Sequence, residues 1–128
     1  QANQWTKAQP DLIVLAQEVR TAQGAEAKYL LAQSYFEEGL LDRSEAEVMS
    51  FTQMNTQQQY WLARALILLS DINLGKGELF QARQYLLALQ ANYIHKDDDI
   101  HTIITNRLQA LDALEQPTPA EENEIEEE

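Results

Sequence analysis

The chain has 128 residues, enough for one domain, and its 21 acidic and 9 basic side chains give a net charge of −12. This acidic balance argues against binding to nucleic-acid backbones or anionic membrane surfaces, both of which attract clustered Lys and Arg. A composition that is 45% hydrophobic, with only four glycines, three prolines and no cysteine, favours an all-α fold without disulfides.

Three helices are predicted in the first half of the chain. The first follows Pro10, a residue that suits a first helical turn, and its buried stripe contains Leu12, Leu15, Ala16 and Val19. The second is predicted from about residue 25 to residue 38, where Gly39 favours a helix end. The third carries Leu41, Ser44, Val48 and Phe51 on one stripe.

Three further helices are predicted in the second half. The fourth spans about residues 57–74 and ends at Gly75 and Gly77, and the fifth has its buried stripe within residues 79–89. The sixth begins at the acidic run 97–99, whose carboxylates suit the positive end of a helix dipole. Its predicted buried face consists of Ile100, Ile104, Leu108 and Leu111.

Residues 116–128 differ in composition from the helical domain predicted for residues 1–115. They contain six glutamates, two prolines and a single bulky apolar side chain, Ile125, so half of the net charge lies there. Such a segment has little apolar surface to offset the entropy of ordering. We expect an acidic, disordered C-terminal tail, with an acidic peptide that binds a basic partner as the alternative.

The strongest signal is an internal repeat that aligns residue 25 with residue 63 and continues from there without a gap. Within residues 25–41, six of 17 positions are identical to their counterparts in residues 63–79. The identical positions are Ala25, Ala27, Leu30, Leu31, Gly39 and Leu41, which fall on Ala63, Ala65, Leu68, Leu69, Gly77 and Leu79. Each unit is predicted to be a helix, a glycine-containing turn and a second helix, and stacking the units would bury their apolar faces.

This unit resembles the tetratricopeptide repeat (TPR), a helix-turn-helix of about 34 residues with apolar and small residues at set positions. Counting from residue 25, Leu31, Ala32 and Tyr35 fill expected apolar or small positions, Gly39 lies in the turn, and Ser44 is the small residue of the second helix. The resemblance implies a solenoid of about two TPR-like repeats with a half-repeat at each end. The stretch 59–64 is similar to the repeat domains of bacterial envelope-associated TPR proteins, which implies a bacterial periplasmic or envelope location.

In TPR arrays, one side of each first helix lines a concave groove that binds a protein or peptide. The resemblance places six residues on that side, off the core stripe: Tyr29, Gln33, Phe36, Arg64, Ile67 and Asp71. Their mixture of aromatic, aliphatic and polar groups suits peptide recognition, although contact with the chain's own flanking helices is an equal alternative. Members of the family that grip C-terminal carboxylates use Lys and Asn at positions held here by Tyr29, Gln33, Ile67 and Asp71, which argues against that specificity.

No pattern in the sequence predicts catalysis, a metal site or a cofactor. The two histidines, His95 and His101, lack the spacing of paired metal ligands on one helix face. The acidic run 97–99 lacks the alternating ligands, glycine and terminal glutamate of a calcium loop. We therefore predict a non-catalytic protein-interaction or scaffolding module, and the alternative is an architectural C-terminal cap of a longer repeat protein that binds nothing itself.

The first helix is expected to be the second helix of a repeat whose first helix is missing. Its stripe has the same spacing as the Ser44, Val48 and Phe51 stripe of the third helix. Ile13 and Val14 would then be exposed, with Trp5 folding back over part of the gap. Because repeat arrays are stabilised by neighbour interfaces, weak self-association through residues 5–20 is expected.

Overall fold

A computed structural model describes the backbone of residues 2–115 and their side chains from Trp5 onward. This part of the chain forms six helices and no strand, which confirms the all-α prediction. The helices are α1 (Ala2–Leu15), α2 (Ala22–Glu37), α3 (Leu41–Thr52), α4 (Gln59–Gly75), α5 (Leu79–Asn92) and α6 (Ile100–Glu115). The predicted acidic tail, residues 116–128, lies outside the described residues.

Helix α1 differs from the predicted first helix at both ends. It ends at Leu15, so Val19 is buried in the following turn rather than on the helix, and Pro10 lies inside the helix instead of in its first turn. The predicted stripe is therefore wrong as a helical face. Leu12 and Ala16 of that stripe do pack against an apolar cluster on α2. The Gln9 amide adds polar contacts, because it donates to Ser34 Oγ at 2.9 Å and to Glu38 Oε1 at 3.0 Å.

The two central helix pairs, α2–α3 and α4–α5, have the same turn geometry at positions that the sequence repeat aligns. Gly39 and Gly77 both have φ near +80°, a left-handed conformation that glycine adopts without steric cost. The amide of Leu40 donates to the Tyr35 carbonyl at 2.9 Å, and the amide of Glu78 donates to the Asn73 carbonyl at 2.8 Å. Both helix ends therefore use the same backbone hydrogen bonds, as the sequence repeat predicts.

One buried hydrogen bond also recurs between the helices of each pair, with its direction reversed. Ser44 Oγ on α3 donates to the Ala32 carbonyl on α2 at 2.7 Å. In the second pair, Ser70 Oγ on α4 donates to the Ala82 carbonyl on α5 at 2.9 Å. Since the sequence repeat aligns Ala32 with Ser70, and Ser44 with Ala82, the two contacts join equivalent positions.

The core consists of three apolar clusters between α1 and α6. Each helix packs on its chain neighbour, and α4 also packs beside both α2 and α6. The α2–α3–α4 cluster is centred on Phe51, Leu69 and Ile72, whereas Leu86 and Ile104 are central between α4, α5 and α6. Burial of apolar surface in these clusters is the main source of stability. None of the helices in residues 2–115 combines the length and hydropathy needed to cross a bilayer.

The acidic run before α6 caps the helix, and one of its three carboxylates does so directly. Asp98 Oδ1 accepts the Ile100 amide at 3.0 Å, while Oδ2 accepts the Tyr93 hydroxyl at 2.5 Å. Burial raises the pKa of the Asp98 carboxyl, but these two hydrogen bonds outweigh it and leave that pKa below its ordinary value. The charged carboxylate therefore stabilises the folded state.

Asp98→Ala is expected to lower the free energy of unfolding by about 1 kcal/mol at pH 7, because an N-terminal cap is lost. Since the folded-state pKa of Asp98 is depressed, its contribution is present above the unfolded-state pKa and is lost as pH falls through the folded-state pKa. Urea titrations at pH 7 and at acid pH measure both effects. Asp97→Ala removes an exposed neighbour and should change little; equal losses for the two variants would contradict the cap.

Candidate functional site

All six residues predicted for the groove line one cavity of about 330 Å³. Tyr29, Gln33 and Phe36 come from α2, and Arg64, Ile67 and Asp71 come from α4. The α-helical repeat explains this convergence, because residues three or four apart share a helix face and α2 packs beside α4. The cavity is within the size range of small-ligand and side-chain pockets.

Two tyrosine hydroxyls hold the Arg64 guanidinium in place on one side of the cavity. Its Nη1 donates to the Tyr60 hydroxyl at 2.8 Å and its Nη2 donates to the Tyr29 hydroxyl at 3.2 Å. The guanidinium carbon also lies 5.1 Å from the Tyr29 ring centroid and 5.8 Å from that of Tyr60. Trp61 packs against both tyrosine rings, with centroids 5.8 Å and 4.9 Å away. The guanidinium is therefore fixed before any ligand arrives.

The hydrogen bonds from Arg64 to the two tyrosine hydroxyls keep its guanidinium charged. Burial works against the charged guanidinium, but the Tyr60 and Tyr29 hydroxyls offset that cost and leave the pKa of Arg64 above its ordinary value. Tyr60 in turn donates to Asp99 Oδ1 at 2.9 Å. The nearest acid in this network therefore reaches the guanidinium only through the Tyr60 hydroxyl. Arg64 is thus a fixed cation without a direct acidic neighbour among the described residues.

The third wall of the cavity comes from α6 and was missed from the sequence. Ile103 and Arg107 line it, and Arg107 forms a two-pronged ion pair with Asp71, with nitrogen–oxygen distances of 2.9 and 3.0 Å. This pair joins α6 to α4 across the cavity and neutralises the carboxylate of Asp71. Continuing the sequence repeat would have placed Thr105 at the position equivalent to Ile67, so the repeat register did not point to Ile103 or Arg107.

The two aromatic residues of the predicted groove lie in different environments. Tyr29 is only 8% exposed and belongs to the core cluster, whereas Phe36 is half-buried and packs against that cluster from the cavity side. The expectation that the predicted groove residues lie off the core is therefore wrong for Tyr29. It is also wrong for Ile67, which is 3% exposed and belongs to the cluster between α4, α5 and α6. The i, i+4 spacing of Tyr29 with Gln33 did place the Tyr29 hydroxyl at the cavity, where it donates to Gln33 Oε1 at 3.2 Å.

The histidines and acidic residues around the α5–α6 turn form a separate polar group. His101 Nε2 lies 2.7 Å from the Tyr93 carbonyl, and His95 packs its ring against Tyr93. Within residues 2–115, no three histidine, aspartate or glutamate side chains lie where they could share a metal ion. The contacts of these residues are those of a turn that anchors α6.

Exposed apolar side chains occur on several helices, among them α1, α3 and α5. Ile13 is 45% and Val14 66% exposed on α1, and Trp5 donates from Nε1 to Glu37 at 2.7 Å on the α2 side. This arrangement agrees with the expected bare surface on α1, and self-association through it stays a prediction. On α5, Phe80 is 70% exposed.

No family model, curated protein or solved structure matches the chain. The internal sequence repeat and the cavity between α2, α4 and α6 are the features of this chain that bear on its function.

Proposed function

We propose that the chain is a TPR-like solenoid that acts as a non-catalytic protein-interaction module. Three observations support the solenoid: the internal sequence repeat, the equal turns at Gly39 and Gly77, and the serine contact that recurs between the helices of each pair. The side-by-side packing of α2, α4 and α6 is also what a stack of helix pairs requires.

In this proposal the partner is a protein segment that enters the cavity between α2, α4 and α6. The observation that carries the proposal is that six side chains chosen from the repeat pattern line the same cavity. Phe36 and Ile103 offer apolar surface, and Gln33 and Arg64 offer hydrogen-bond donors. Peptide-binding grooves combine these two kinds of surface.

The second candidate function is an architectural cap that closes a longer array and binds nothing. It is favoured by the burial of Tyr29 and by the ion pair between Asp71 and Arg107, since both use cavity-lining groups for contacts within the chain. In that case Phe36 would contribute to packing alone. The two functions differ in whether a ligand competes for the surface of Phe36.

Panning a peptide display library against the full chain tests the binding function. Peptides that enter the cavity should lose about 30-fold in affinity with Phe36→Ala, because aromatic hot spots at interfaces contribute about 2 kcal/mol or more. Isothermal titration of the selected peptides measures the loss. Tyr29 is left intact in this experiment because its ring is part of the core.

The matched control is Phe80→Ala, which removes an exposed phenylalanine far from the cavity on α5. Selected peptides should bind this variant as they bind the unmodified chain. Thermal melts of both variants separate lost binding from lost folding. If no peptide is enriched, or if every selected peptide tolerates Phe36→Ala, the cap function replaces the binding function.

A further inference from the structure

The nine basic side chains of the protein fall into three groups by their acidic partners and solvent exposure. Five form ion pairs with carboxylates among the described residues: Arg20, Lys28, Lys76, Arg83 and Arg107. Lys7, Arg43 and Lys96 have no such pair but are exposed, so water solvates their charge. Arg64 alone combines partial burial with the lack of a carboxylate partner among these residues.

The charge of Arg64 is stabilised by neutral groups only, so an anionic ligand can form an ion pair that the described residues do not supply. A guanidinium has five N–H donors, and the contacts of Arg64 with Tyr60 and Tyr29 occupy two of its nitrogens with neutral acceptors. Arg107, the other arginine at the cavity, is already paired with both carboxylate oxygens of Asp71. An incoming carboxylate would therefore meet one available cation, Arg64, whose position is already fixed by stacking and hydrogen bonds.

We propose that Arg64 binds the side-chain carboxylate of an aspartate or glutamate in the partner segment, with an adjacent apolar side chain of that segment in the cavity. This inference rests on the proposed binding function and specifies its ligand. Charge complementarity selects the acid, because a charge-assisted hydrogen bond to arginine is about twice as strong as a neutral one. Phe36 and Ile103, which are both partly exposed, provide the neighbouring apolar wall.

A side chain rather than a chain terminus is the source of this carboxylate. The cavity is bounded by helices on three sides, by α2, α4 and α6, so an extended segment can cross it and project side chains inward. The charged groups that face Arg64 are Asp99, through Tyr60, and the Asp71–Arg107 pair. The pair is neutral overall, so a single additional carboxylate is tolerated in the cavity, whereas a dense acidic run would face repulsion from the acidic protein as a whole.

Acetylated and amidated hexapeptide pools test the inference on the full chain. The third position is fixed as Glu, Gln or Lys, and the other positions are mixtures of Ala, Leu, Phe and Ser. The Glu pool should shift the Arg64 Nε–H resonance in NMR spectra and should saturate it at a concentration at least about tenfold below that of the Gln pool. The Lys pool should bind more weakly than both.

Two arginine variants provide the controls. Arg64→Gln should bring the Glu and Gln pools to equal affinity, and Arg64→Lys, which keeps the charge, should retain part of the preference. Arg43→Gln removes a comparable arginine stacked 4.5 Å from the Tyr35 ring centroid on another surface, and it should leave the tenfold preference unchanged. Circular dichroism melts confirm that each variant is folded.

The binding results distinguish a failure of carboxylate recognition by Arg64 from a failure of the proposed binding function. Equal affinities of the Glu and Gln pools at the cavity would overturn the inference while the binding function stands, and no cavity shift from any pool would overturn both. A free-acid Gln pool that matches the capped Glu pool would show recognition of a chain terminus instead. Tighter binding at Arg64 by a synthetic peptide of residues 116–128 than by the Glu pool would assign the site to the chain's own tail.

Discussion

Replacing Gly24 by alanine is expected to lower the free energy of unfolding by about 3 kcal/mol, the upper range for overpacking a buried position. A Cβ at this position would lie 1.7 Å from the Glu18 carbonyl oxygen, so the α1–α2 turn would have to move. That movement would also disturb the N-terminal cap of α2, in which the Gly24 amide donates to Thr21 Oγ1 at 2.9 Å. The gain in helix propensity from alanine, about 1 kcal/mol, is too small to compensate.

Gly75→Ala is the matched control for Gly24→Ala. Gly75 is also a helical glycine, at the end of α4, but its added Cβ would meet only the flexible end of the Leu41 side chain at 3.3 Å. Urea unfolding should therefore find the stability of Gly75→Ala unchanged within about 1 kcal/mol. Equal stabilities of the two variants would mean that the α1–α2 turn adapts without cost.

Phe51→Ala is expected to cost about 4 kcal/mol, because truncating a fully buried aromatic ring removes its transfer free energy and leaves a cavity. Phe51 is buried in the cluster formed by α2, α3 and α4, where Val48 and Leu69 are among its neighbours. Since small domains are stable by only about 5–15 kcal/mol, the variant should unfold at much lower urea concentrations than the unmodified chain.

Phe80→Ala removes the same ring from an exposed position and should change stability by less than about 0.5 kcal/mol. A large loss for Phe80→Ala would indicate that this ring is covered, for instance in a dimer. A small loss for Phe51→Ala would contradict its burial at the centre of the cluster.

The helix pairs could be predicted from the sequence because their apolar residues are periodic and their turns contain glycine. Phe51 and Ile104 were both assigned to buried faces, and both are fully buried. Helix α1 was misplaced because the apolar spacing of Leu12 and Ala16, which do pack on α2, continues to Val19, where the chain has already left the helix. Pro10 added to the error, since proline usually marks a first helical turn and here lies within the helix.

The candidate site was predicted in part for the same reason. The repeat identified which faces of α2 and α4 point together, and the six predicted residues line one cavity. That this cavity binds a partner stays a prediction. The register of α6 lies outside the sequence repeat, so its contribution through Arg107 required the tertiary structure. Burial of Tyr29 and Ile67 was also missed, because helical spacing predicts the direction of a side chain but not how far a neighbouring helix covers it.

The reversed serine contact bears on how the repeat could diverge without loss of stability. Compared position by position, Ala32 against Ser70 and Ser44 against Ala82 are two mismatches. Taken as pairs, both units contain one serine and one alanine, and either helix can supply the hydroxyl. Natural selection on this contact would then act on the pair of positions, so that loss of serine at one position is compensated by serine at the other. Such paired exchanges of serine and alanine would identify related repeats more sensitively than residue identity at either position.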